Sequence, residues 1–131
     1  MILVDTSVWI ELLRGTLTLG PTTDGFRQFV TCGPVVQEVL QGLRANARTP
    51  AFSQALLALP RLGDPLPLAT FLEAAEIFQL GRRKGYTVRS SNDCLIAAIA
   101  IENRVPVWHR DRDFAQIARY TALEAVERLP R

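Results

Sequence analysis

Residues 90–114 read SSNDCLIAAIAIENRVPVWHRDRDF. Ser90 to Asn103 has helical character and is apolar nearly all round, which predicts a helix enclosed by the rest of the molecule rather than lying on it. Val105 to Trp108 then reads as a short buried strand, and Asp113 to Arg119 as the helix that follows. A buried helix, a strand with no wet face and another helix, in that order, predict parallel strands covered on both sides. Working outward, Leu123 to Val126 is a last strand and Thr70 to Lys84 an amphipathic helix stopped by Gly85. Leu66 to Leu68 is a brief strand and Pro50 to Leu59 a helix. Gly33-Pro34 breaks the chain, and Pro34 opens a helix to about Ala47. Phe29 to Cys32 is a strand, Asp24 to Phe29 a short helix and Thr16 to Thr23 a loop. Ile2 to Val4 is a strand, followed by a helix from Thr6 to Arg14 that Gly15 ends. Val8, Trp9, Ile10, Leu12 and Leu13 are too broad for one core stripe, which predicts burial against a partner.

The 131 residues amount to one α/β domain, spanning 1–131, with no repeat or linker. Hydrophobic residues make up 48% and charged residues 21%, which excludes a disordered chain. The net charge of +2 permits a nucleic-acid partner without requiring one. Of 15 basic residues 14 are Arg and one is Lys84; Arg is the better fork for phosphate, although genome composition also raises Arg. Cys32 and Cys94 lack metal-site spacing and are read as buried thiols. No basic run precedes the first apolar residues, so MILVDTSVW is not read as an export signal. The longest apolar run, Cys94 to Ile101, falls far short of the roughly 20 residues of a membrane span. The expectation is a cytoplasmic protein without membrane contact.

The acids carry the chemistry. Asp5 ends the first strand, Asp111 follows the Val105–Trp108 strand, Asp113 lies just beyond, and Asp93 and Glu38 lie early in their helices. In a parallel α/β sheet, strand C-termini and helix N-termini share the edge where ligands bind. Taken singly, each acid has a plainer role. Asp5, Asp111 and Asp113 suit helix caps, Ser90 to Asp93 matches a capping box, and Glu38 points away from its helix's apolar face. Gathered on one edge, they form a cluster. Two carboxylates about 4 Å apart repel by ~4 kcal/mol at an effective dielectric near 20, so the group must hold protons or a cation. Oxygen ligands select Mg²⁺ or Mn²⁺, whereas one His and two distant Cys do not build a zinc site. The cluster is read as lacking protein cations, with Lys84 at a far helix end and Arg110 and Arg112 facing outward. Dinucleotide, P-loop and nucleophile-elbow motifs are absent. Trp9, Trp108 and Phe114 are read as core or interface.

The stretches ILVDTSVWIELLRG (2–15), VVQEVLQGLR (35–44) and residues 90–119 together resemble the PIN-domain ribonucleases, and more narrowly the VapC toxins of type II toxin–antitoxin systems. The resemblance runs along nearly the whole chain in order. It implies a PIN-like three-layer sandwich with a short central parallel sheet of four or five strands flanked by helices. It implies a metal-dependent endoribonuclease using Mg²⁺ or Mn²⁺ and a metal-activated water, with Asp5, Glu38, Asp93 and Asp111 catalytic and Asp5, Asp93, Asp111 and Asp113 as metal ligands. Thr6 and Ser7, beside the first Asp, and Arg110 and Arg112 are the implied substrate-side residues, with Arg44 and Arg48 as further phosphate contacts. His109 stands where many members carry Thr. The implied partners are RNA, a VapB-type antitoxin whose tail lies in an apolar groove, and a second copy of the chain. Two rivals stand beside this: a phosphoryl-transfer domain, which would want a Lys on the acid edge, and a non-catalytic PIN-like module binding RNA or protein.

Overall fold

Five short strands pair edge to edge: β1 (Ile2–Val4), β2 (Phe29–Cys32), β3 (Arg61–Leu62), β4 (Val107–Trp108) and β5 (Ala125–Val126). Among the described residues six helices cover the sheet: α1 (Thr6–Arg14), α2 (Gly33–Gly42), α3 (Thr49–Ala58), α4 (Leu68–Arg83), α5 (Ser91–Asn103) and α6 (Arg112–Tyr120). The structure, a computed structural model, describes residues 1–19, 27–46 and 49–129. Arg48 and residues 24–26 of the helix expected at Asp24–Phe29 lie outside the described residues. The strand order is β3-β2-β1-β4-β5 and every ladder is parallel. β1 is therefore central, with Leu3 paired to Val30 on one side and to Val107 on the other.

The apolar runs behave as expected of strands covered on both faces. All residues of β1 and β2 are buried. Ile96 to Ala100 of α5 are wholly enclosed. Full burial of each Ile there is worth about 1.5–3 kcal/mol. Both cysteines are buried and unpaired. Trp9 packs edge-on to Phe29 and Phe52, and Phe29 also meets Trp108. Part of the apolar surplus of α1 thus serves its own core, leaving Ile10 and Leu13 each 38% exposed. Gly15 closes α1 at φ 74°, where a Cβ would be strained.

Several boundaries differ from expectation for local reasons. The brief strand lies at Arg61–Leu62 rather than Leu66–Leu68. Pro65 and Pro67 remove two backbone donors from the later stretch, whereas Arg61 and Leu62 pair with Thr31 and Cys32. The helix expected to reach Ala47 stops at Gly42, with Leu43 extended. β4 begins at Val107 because the Val105 N–H is spent on the Ala100 carbonyl at the end of α5. Among the described residues no helix is long and apolar enough to cross a membrane.

Candidate active site

The parallel sheet opens its strand C-termini toward the N-termini of α1, α2, α5 and α6. Asp5 leaves β1 there. Its N–H donates to the Trp108 carbonyl at 3.0 Å, so the residue after β1 is still tied to β4. Its carboxylate caps α1, with Oδ2 accepting the Ser7 N–H at 3.1 Å and the Ser7 hydroxyl at 2.6 Å. Ser7 Oγ in turn accepts the Arg110 N–H at 2.9 Å, bridging positions 103 apart in sequence. Asp5 is 4% exposed. Burial pushes its carboxyl above the usual range, Ser7 and Thr6 pull it back, and the Asp111 charge raises it further.

Asp111 caps α6, its Oδ1 accepting the Asp113 N–H at 3.0 Å. His109 Nδ1 accepts the Asp111 N–H at 3.3 Å, which puts the ring's proton on Nε2. His109 is buried against Phe114 and serves this turn. Asp93 enters from the first turn of α5, where the expected capping box does not form: Ser90 makes no side-chain cap bond. Burial raises the Asp93 carboxyl most, followed by the charges of Asp5 and Asp111 and a hydrogen bond with Asp113. Asp93, Asp111 and Asp113 each offer an oxygen within 4.8 Å of the others. Glu38 completes the group. It is not simply solvated: Oε1 accepts a hydrogen bond from Asn92 Nδ2, and burial plus the Asp5 and Asp111 charges raise its carboxyl.

Not every sequence-predicted group faces these acids. The Arg110 guanidinium pairs with Glu11 at 3.1 Å. Arg112 opens α6, is exposed and makes no ion pair among the described residues. The Ser7 hydroxyl is spent on Asp5, while Thr6 Oγ1 is buried with no hydrogen-bond partner among the described residues. Arg44 is exposed just beyond α2. Two residues were missed. Asn92, seen only as part of a cap, holds Glu38. Arg89, in the turn before α5, donates its N–H to Asp113 Oδ2 at 3.1 Å, and its guanidinium reaches Asp111 and Asp113. The expectation that no protein cation enters the cluster is corrected on this point. Lys84 closes α4 and makes no ion pair among the described residues.

The PIN-domain profile matches residues 2–120. The VapC ribonuclease Mb1587 of Mycobacterium bovis is 37% identical over 95% of this chain and 97% of its own. Ribonuclease VapC11 of Mycobacterium tuberculosis matches to the same extent. The chain belongs to the VapC branch of the PIN-domain family. The fold agrees: a crystal structure of VapBC-5, a toxin–antitoxin family member from Mycobacterium tuberculosis, superposes with a TM-score of 0.68 at 20% identity, covering 95% of each chain. The five parallel strands and flanking helices are thus the PIN fold.

The donor set suits a hard divalent ion. All groups are carboxylates, the oxygen donors such ions take, and Asp93, Asp111 and Asp113 each offer an oxygen within 4.8 Å of the others. Among the described residues these mutually repelling carboxylates have no strong counter-charge, since Arg89 is half-exposed and its contacts are long.

Proposed function

We propose that this PIN domain is an Mg²⁺- or Mn²⁺-dependent endoribonuclease, the toxin of a VapBC-type pair. The convergence of Asp5, Glu38, Asp93, Asp111 and Asp113 carries this reading. Asp5, Asp93, Asp111 and Asp113 would hold the cation. When bound, it supplies Lewis acidity, making a water more acidic and offsetting charge on the phosphoryl and leaving oxygens. The chain's own part is orientation and proton handling. Ser7 fixes one oxygen of Asp5, and the peptide N–H of Asp113 fixes one of Asp111. Asn92 holds Glu38 by Oε1, leaving Oε2 to accept a proton from the attacking water. A raised carboxyl makes Glu38 a stronger base than an ordinary carboxylate, which suits that role.

RNA as substrate is supported by the names of the curated relatives, both ribonucleases. A VapB-type antitoxin is supported by the VapBC assembly among the structural neighbours and by an apolar groove of about 360 Å³ beside α1, walled by Trp9, Leu12, Leu17, Phe52, Leu56 and Leu59. A homodimer is supported by the exposed Leu68, Phe71 and Leu72 at the start of α4. The reading is of a single PIN domain in the cytoplasm.

The test is cleavage of RNA with Mg²⁺, with and without EDTA. Cutting that leaves 3′-hydroxyl and 5′-phosphate ends, stops in EDTA, and falls by at least about 100-fold in folded Asp5→Asn and Asp93→Asn variants is expected. Variants that cut as fast as the parent sink the site assignment. A parent that binds RNA without cutting it is a non-catalytic module.

A further inference from the structure

Arg89 is held in two different ways. Its N–H donates to Asp113 Oδ2 at 3.1 Å, a charge-assisted bond to a carboxylate that is 1% exposed. Its guanidinium spans Asp111 and Asp113 at 3.4 and 3.5 Å, and the side chain is 54% exposed. Those contacts sit at the long limit of hydrogen bonding, and exposed ion pairs of this kind are weak. The residue is thus fixed at its main chain and loosely moored at its tip. Among the described residues no other Lys or Arg forms an ion pair with any of the five clustered acids.

Resting on the cation-dependent ribonuclease reading, we propose that Arg89 is an exchange residue: its guanidinium covers Asp111 and Asp113 until a divalent cation takes them, and then contacts a phosphate of the RNA strand. A cation entering these carboxylates replaces one dispersed positive charge by a compact double one and repels the guanidinium beside it. The peptide anchor on Asp113 does not depend on the side chain, so the turn keeps its place when the tip leaves. The released tip stays at the mouth of the site, with a planar donor fork that matches phosphate. A residue that merely braced the carboxylates would behave oppositely, since removing it would loosen the cation's ligands.

The experiment measures Mn²⁺ binding by calorimetry on the full chain. It also measures binding of a fully phosphorothioate single-stranded RNA by fluorescence anisotropy, with and without Mn²⁺. The proteins are the parent, Arg89→Gln, and Arg83→Gln as a charge-matched control on the exposed end of α4. Arg89→Gln should bind Mn²⁺ roughly tenfold more tightly, a gain the control does not match. With Mn²⁺ present it should bind the RNA several-fold more weakly, with a salt slope shallower by about 0.7, one phosphate contact on a single strand. Without Mn²⁺ it should lose no more RNA affinity than the control. Mn²⁺ affinity that is unchanged, weakened or equalled by the control overturns the proposal, as does RNA affinity in Mn²⁺ that ignores the substitution. A parent that binds no Mn²⁺ fells the cation reading as well; one that binds Mn²⁺ and cuts RNA while these signs fail overturns Arg89 alone.

Discussion

Asp93 is buried on an apolar helix and faces the charges of Asp5 and Asp111, so a proton and a cation compete for the same oxygens. Asp93→Asn removes that charge with little change of shape. The variant should melt higher than the parent at pH 8 in EDTA and gain no stability from Mn²⁺; thermal melts in the two buffers check this, and a variant still stabilised by Mn²⁺ to the parent's extent contradicts it. Asn92 acts through Glu38. Asn92→Ala should lower the cleavage rate about 10–100-fold, the usual effect of losing a group that orients a site ligand, while leaving the melting temperature nearly unchanged. Rate assays beside thermal melts separate the two effects. Asp5 and Asp111 were legible in the sequence because each follows a strand and caps the next helix. The pairing of Asn92 with Glu38 was not, since it joins positions 54 apart that belong to different local patterns.

Among the elements, α4 lies so close to α6 that the missing side chain at Gly81 is part of the fit. A Cβ there would fall 2.4 Å from the Tyr120 hydroxyl, which donates to the Ile77 carbonyl at 3.0 Å while its ring stacks on Tyr86. Gly81→Ala should cost about 1–3 kcal/mol through overpacking, and Tyr120→Phe in the same chain should recover part of it by removing the obstructing oxygen. Denaturant melts of the three variants check this, and additive losses would contradict it. The central strands were legible as uninterrupted apolar runs. β3 was not, because a two-residue strand beside prolines carries no periodicity, and only its partners Thr31 and Cys32 define it. Helix ends were harder to read than helix existence: Leu43 is apolar and continues the pattern of α2, yet backbone geometry closes the helix before it.

For the whole molecule, the acid edge links stability to pH. A carboxyl whose folded value exceeds its unfolded one contributes stability that is fully present below the unfolded value and lost as pH rises through the folded value. For Asp93 that window runs from 3.8 to about 8, and Asp5 and Glu38 shift in the same direction. The cation-depleted protein should therefore melt lower at pH 8 than at pH 5, and saturating Mn²⁺ should flatten or reverse that trend. Thermal melts in EDTA and in Mn²⁺ across this range check it, and a melting temperature that climbs with pH in EDTA contradicts it. The sheet order adds a constraint in time. β1 lies between β2 and β4, and the Ser7–Arg110 bond closes a loop of 103 positions. During synthesis the segment carrying Asp5 must wait, one edge unmatched, until Val107 and Trp108 have cleared the ribosome. A nascent or truncated chain ending before them lacks Asp111 and Asp113 as well, so the carboxylate triad that would hold a cation cannot close until residues 107–113 have joined the sheet.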